Sequence, residues 1–206
     1  NIKDSYIRSS DDSIKLFGSG SEVADCVVWQ GVNGAVFQLG WWMKHDYHSI
    51  IVSRVTVLHA DWQVVAEGWS STHATNDAVF DLRGPGGGTP LPPGPHHAGL
   101  YNISNITWRD VVVDSPIRGG GLFRMNLSAA NGTVSALSFD RLRIPSAMGS
   151  SFALTPEQWI GGLRFDDFSV GGSCVHNVSA AGFSPSPASA TFSCSTPLHH
   201  RSFGGV

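Results

Sequence analysis

Four hexapeptides in this chain, SIKLFG (13–18), VFQLGW (36–41), VFDLRG (79–84) and LFRMNL (122–127), align without gaps around one central polar residue. Such a recurrence constrains the fold more than any single residue does, because a repeat this short cannot bury its own apolar side and must stack on its neighbour. Side chains alternate along a strand, so Lys15, Gln38, Asp81 and Arg124 are predicted to share the outer face of a sheet. Ile14, Phe37, Phe80 and Phe123 then point inward, followed two places on by Leu16, Leu39, Leu82 and Met125.

A second set of segments falls between the first: DSYIRSS (4–10), DCVVWQG (25–31), VSRVTVLHAD (52–61), ISNITWRDVVVD (103–114), VSALSFDRLRI (134–144) and IGGLRFDDFSV (160–170). Two or three short strands per turn, repeated with connections of unequal length, describe an all-β chain of the parallel β-helix type. An antiparallel sandwich also has short alternating strands and is the competing arrangement. The 24 glycines and 11 prolines among 206 residues supply the turns either fold needs and argue against long helices. Residues 1–206 read as a single domain. The longest connection, 84–98, opens with GPGGGTPLPPGPHH and is predicted to run over the surface. A later one, 145–159, ends in TPEQW, which suits one helical turn with Thr155 as cap and Pro156 at the first helical position.

Thirteen Lys and Arg against sixteen Asp and Glu leave a formal charge of −3, so no basic field draws the chain to nucleic acid or to an anionic membrane. No apolar stretch approaches the roughly 20 residues that cross a bilayer, and membrane insertion is not expected. The sequence opens at Asn1 instead of Met, which reads as a processed chain or a piece of a longer one. Sequons at Asn102, Asn105, Asn126, Asn131 and Asn177 point to a secreted, extracellular glycoprotein. Cys174 and Cys194 bracket a Ser/Pro/Ala-rich stretch and are candidates to close a disulfide loop in an oxidising compartment. Cys26, inside the apolar run DCVVW, reads as a buried thiol.

The candidate chemistry lies in SSDD (9–12). Strict alternation sends Asp11 and Asp12 to opposite faces, so both enter one cleft only where a turn breaks into a strand. Ser and Asp favour such turns through side chain to backbone hydrogen bonds. Most Asp-Asp pairs at turns are solvated and inert. The setting argues for more, because this pair opens the outward row of Lys15, Gln38, Asp81 and Arg124, and a groove so lined suits a chain of sugars. Glycoside hydrolysis needs one protonated carboxyl for the leaving oxygen; inversion needs a second carboxylate to activate water.

The stretch YIRSSDDSIKLFGSGSEVADCVVWQGVNGAVFQLGWW (6–42) resembles the Asp-Asp strand and following rung of glycoside hydrolase family 49, the dextranases and isopullulanases. VSRVTVLHADW (52–62) and GGLRFDDFSVGGSCV (161–175) are similar to that family's closing rungs. The resemblance implies a right-handed parallel β-helix, inverting endo-hydrolysis of an α-glucan such as dextran or pullulan, and no metal or other cofactor. By it Asp11 is the general acid and Asp12 one of the carboxylates serving the water. The family also uses an aspartate from the preceding rung, a position that falls before Asn1. The chain is therefore expected to be the C-terminal part of a β-helix domain, truncated at its N-terminal end and acting as a monomer.

Trp29, Trp41 and Trp42 lie near the pair along the sequence. GWW cannot point both rings inward if extended, so Trp41 and Trp42 join Lys15, Gln38 and Asp81 as candidate substrate-binding residues, beside the ordinary reading of tryptophan as core. His45, Asp46 and His48 invite a metal reading, but without a further ligand at fixed spacing the signal is weak and the ordinary reading is plain surface. Two other readings stay open. A polygalacturonase-like hydrolase shares the fold, but neither GHG nor RIK occurs here. A carbohydrate-binding β-helix without catalysis would keep the scaffold alone.

Overall fold

In the computed structural model, which describes residues 1–40, 45–60, 62, 77–83, 102–115, 120–126, 133–146, 150–153, 160–181, 183–184 and 190–195, every regular element is a strand. The chain starts in one sheet as β1 (Ile2–Lys3) and β2 (Tyr6–Ser9), then enters a second sheet as β3 (Ile14–Lys15). It alternates thereafter: β4 (Glu22–Gln30) in sheet one, β5 (Ala35–Gly40) in sheet two, then β6 (Tyr47–Ala60), β7 (Ala78–Arg83), β8 (Ile103–Val113) and β9 (Gly121–Asn126) in the same order. Sheet one continues with β10 (Val134–Asp140) and β11 (Arg143–Ile144), and sheet two with β12 (Ser150–Ala153). Next come β13 (Ile160–Gly161), β14 (Arg164–Asp166), β15 (Ser169–Val170) and β16 (Ser173–Cys174) in sheet one. β17 (Phe183–Ser184) is in sheet two, and β18 (Thr191–Ser193) returns to sheet one.

Among the described strands every pairing is parallel except the small β15–β16 hairpin. Parallel neighbours need a crossover, and here each crossover contains a strand of the other sheet. The antiparallel sandwich is thereby excluded for these strands. The all-β, parallel arrangement is consistent with a parallel β-helix. No helix occurs among the described residues, and none is long and apolar enough to cross a membrane.

The hexapeptides pair as the repeat predicts. Ile14 faces Phe37, Phe37 faces Phe80 and Phe80 faces Phe123, while Lys15, Gln38, Asp81 and Arg124 form the adjoining row. Inward residues build two columns of rings. In sheet two, Phe37 stacks on Phe80 at 5.3 Å and Phe80 on Phe123 at 5.0 Å. In sheet one, Trp108, Phe139, Phe165 and Phe192 stack at 4.6, 5.0 and 4.8 Å. The columns meet edge to face, Phe80 on Trp108 at 79° and Phe123 on Phe139 at 83°, a favoured arrangement of aromatic quadrupoles.

The outer row differs from expectation. Gln38 is 0% and Asp81 2% exposed, and only Lys15 and, in part, Arg124 reach solvent. The reason is the residue two places earlier on the same face: Val36, Val79 and Leu122 are apolar and buried, so sheet two is covered on both sides there. Strand parity assigns a side chain to a face but does not say whether that face is open.

The long strands of sheet one bend at left-handed residues. Asp4, Asp25, Arg54, Asp110, Arg141 and Asp167, with φ of 49–58°, occupy one register position in successive strands. Ser49, Asn105 and Ala136, with φ of 52–57°, and Gly162, at 66°, mark a second bend. The sequons are caught up in this stacking to different degrees. Asn102 donates from Nδ2 to Asp46 at 3.1 Å, and Asn105 to the Ser49 hydroxyl at 3.3 Å. Asn177 is exposed and accepts from the Ala180 N–H at 2.8 Å. Cys174 and Cys194 are joined in a disulfide with Cα atoms 6.3 Å apart, and Cys26 is a buried free thiol. The 84–98 connection, TPEQW, Trp41, Trp42 and Asn131 lie outside the described residues, as does the side chain of Asn126.

Candidate active site

Asp11 and Asp12 occupy the turn between β2 and β3, where the chain leaves sheet one for sheet two. Ser9 shapes the turn by accepting the Asp11 N–H on its hydroxyl at 3.1 Å, and Asp11 Oδ1 accepts the Asp12 N–H at 2.7 Å. These are the side chain to backbone bonds for which such residues are favoured at turns.

The two carboxylates have unequal surroundings. Asp12 turns in, its side chain only 5% exposed; Oδ1 accepts the Ala35 N–H at 2.8 Å and Oδ2 lies 3.1 Å from the Lys15 ammonium. A carboxylate so placed has a cation and a backbone donor in exchange for lost water. Asp11 stays exposed, and its Oδ2 has no partner among the described residues. The turn thus presents one open carboxyl group beside one that is fixed and charge-paired.

The next pass of the chain supports the turn from beneath. Gly34, at φ +80°, packs its backbone against the Asp11–Asp12 peptide, and its carbonyl accepts from the Trp62 indole N–H at 2.8 Å. The Trp62 ring is in turn backed by Gly120, where a Cβ would lie 2.5 Å from it. Gln30, at the end of β4, bonds both turns through its side-chain amide. Its carbonyl accepts from His59 Nδ1 at 2.8 Å. The His59 ring stacks on Trp29 at 4.5 Å and 6°, and Trp29 is 37% exposed.

Of the residues singled out from sequence, Asp11, Asp12 and Lys15 come together directly. Gln38 follows Lys15 and Asp81 follows Gln38 in the ladder, both buried. The Gln38 amide has no hydrogen-bond partner among the described residues. Trp29 lies apart from this row, on sheet one. Gln30, Gly34, Trp62 and His59 were missed. Gln30 had a signal: a polar residue at the inward parity of Cys26 and Val28. Among the described residues no group of three or more His, Cys, Asp or Glu is placed to hold a metal ion.

Part of this chain is similar to a dextranase. Over 58 residues it is 31% identical to the dextranase of Arthrobacter globiformis, a stretch amounting to 28% of this chain and 9% of that relative. The chain therefore matches under a tenth of the length of the curated relative. No protein-family model matches it. The likeness supports a glycoside hydrolase relationship for part of the chain and does not reach a particular family.

Proposed function

We propose that this chain forms part of a secreted, inverting glycoside hydrolase of family 49 type. Its strands wind as a right-handed parallel β-helix, and its substrate is a neutral α-glucan, dextran or a similar polymer. Asp11 donates the proton to the leaving oxygen. Asp12, held beside Lys15, is a carboxylate on the water side of the reaction. The observation that supports the reading is the asymmetry of the pair: an exposed Asp11 adjoins an Asp12 whose side chain is covered and charge-paired, within a chain partly similar to a dextranase. An inverting glycosidase asks the same of its two carboxyl groups, one exchanging a proton with substrate and one held as an anion.

The test is release of reducing sugar by the full-length protein from dextran, pullulan and polygalacturonate. Dextran or pullulan is expected to be cut with an inverted anomeric product. Asp11→Asn is expected to lower kcat by about 10²- to 10⁴-fold, the usual range for a lost general acid. Turnover of polygalacturonate alone, or an Asp11→Asn enzyme as fast as wild type, removes this reading.

A further inference from the structure

Gln30 is the last residue of β4 and is 0% exposed. A buried primary amide brings two N–H donors and one acceptor oxygen, each costly to leave unpaired. Here all are used. Nε2 donates to the carbonyl of Asp11 at 3.2 Å and to that of Asn33 at 2.6 Å, and Oε1 accepts the Ser13 hydroxyl at 2.5 Å. The partners flank Asp12 on both sides and include the turn beneath it. The backbone joins in: Ser9 pairs with Gln30 in register, and the Gly31 N–H donates to the Ser9 carbonyl at 2.7 Å.

We propose that Gln30 is a positioning residue for Asp11. Its amide fixes the peptide from which the Asp11 carboxyl projects, and ties that turn to the Asn33–Gly34 turn so that the two cannot shift independently. The proposal rests on the reading of Asp11 as the general acid. It adds a claim that reading does not contain, that the acid's placement depends on two N–H donors from a residue out of reach of substrate. Backbone position matters to rate because a displacement of about 1 Å at a reacting group costs as much as 10²-fold.

Two substitutions separate positioning from packing. Gln30→Glu keeps the shape and the acceptor for Ser13 but, when ionised, sets an anion against two carbonyl oxygens. When protonated it regains one donor. Gln30→Met fills similar volume and donates at no pH. With dextran and the full-length protein, both are expected to lower kcat by about 10- to 100-fold at neutral pH with KM within about twofold. The ratio of Gln30→Glu to wild type should climb as pH falls, and the Gln30→Met ratio should stay flat. Folded fraction is followed by near-ultraviolet circular dichroism at each pH. The proposal is overturned by wild-type kcat in both variants, by losses that only track the folded fraction, or by the same pH recovery in Gln30→Met. Asp11→Asn is assayed alongside. If it is fully active, the parent reading falls and this one with it; if it is inactive beside unaffected Gln30 variants, this one falls alone.

Discussion

Gly34 is the residue at which the site depends most plainly on a missing side chain. Its φ of +80° lies in the left-handed region, and a Cβ there would stand 2.3 Å from the Asp12 nitrogen and 2.7 Å from the Asp11 carbonyl carbon. Those are backbone atoms, which cannot swing aside, so Gly34→Ala must displace the aspartate turn. Gly20 is the natural control, with φ +69° and nothing within 4 Å of its Cβ position. Gly20→Ala is expected to cost about 1–2 kcal/mol, the left-handed backbone alone. Gly34→Ala should cost more in thermal unfolding and should also lower kcat. Equal losses, with activity kept in both, would show that the Gly34 backbone does not press on Asp11 and Asp12.

Among the elements, the bends of sheet one show why part of the fold was legible and part was not. The hexapeptide register could be read because a single polar residue marks each repeat, and the pairing of Lys15, Gln38, Asp81 and Arg124 follows that mark. The bends carry no such mark. Asp and Asn tolerate left-handed φ, but Arg54, Arg141, Ser49 and Ala136 adopt it too, with no preference in sequence to announce it. What stabilises the first bend is visible only across strands. Arg54 grips Asp25 at 2.6 and 2.7 Å, and Arg141 grips Asp110 at 2.6 and 2.8 Å while also bonding Asp140 at 2.7 Å. From Asp25 to Asp167 the ladder alternates in sign, so in-register stacking sets opposite charges side by side from one strand to the next. Hydrogen bonds from Arg141 hold the Asp110 carboxyl below its ordinary range, and those from Ser195 do the same for Asp167. A carboxyl with a lowered folded value binds fewer protons folded than unfolded. Its contribution is therefore complete above the unfolded value, about 3.9, and is lost as pH falls through the folded one. Urea midpoints should decline on acidification below about pH 4. Asp110→Asn should cost about 0.5–1 kcal/mol at pH 7, as for a well-aligned but partly exposed pair, and less in acid. An equal cost at pH 7 and at low pH would mean that the ion pair contributes nothing.

At the scale of the whole molecule, the site and the disulfide stand at opposite edges of sheet one. The aspartate turn follows β2 in the first pass, while Cys194 follows β18 in the last described pass and is bonded to Cys174 of β16. Where each pass of chain touches only its neighbours, stability is a sum of local terms, and damage at one edge frays that edge first. The bridge spans 20 positions and fastens the strand whose Phe192 closes the ring column on Phe165. Loop closure of that length is worth about 3 kcal/mol, and replacing both cysteines by serine should cost about 2–4 kcal/mol. Amide exchange should then speed up first in Thr191–Ser193 and in Arg164–Asp166, which pairs with it, and last in the central strands. Turnover per folded molecule should stay at the wild-type value, because the supports of Asp11 run through Gln30, Gly34, Trp62 and Gly120, none of them near the bridge in the strand order. If kcat instead falls at temperatures where the first strands of sheet one are still protected, the two edges form one cooperative block. The pass-by-pass account of how the fold holds its site would then be wrong.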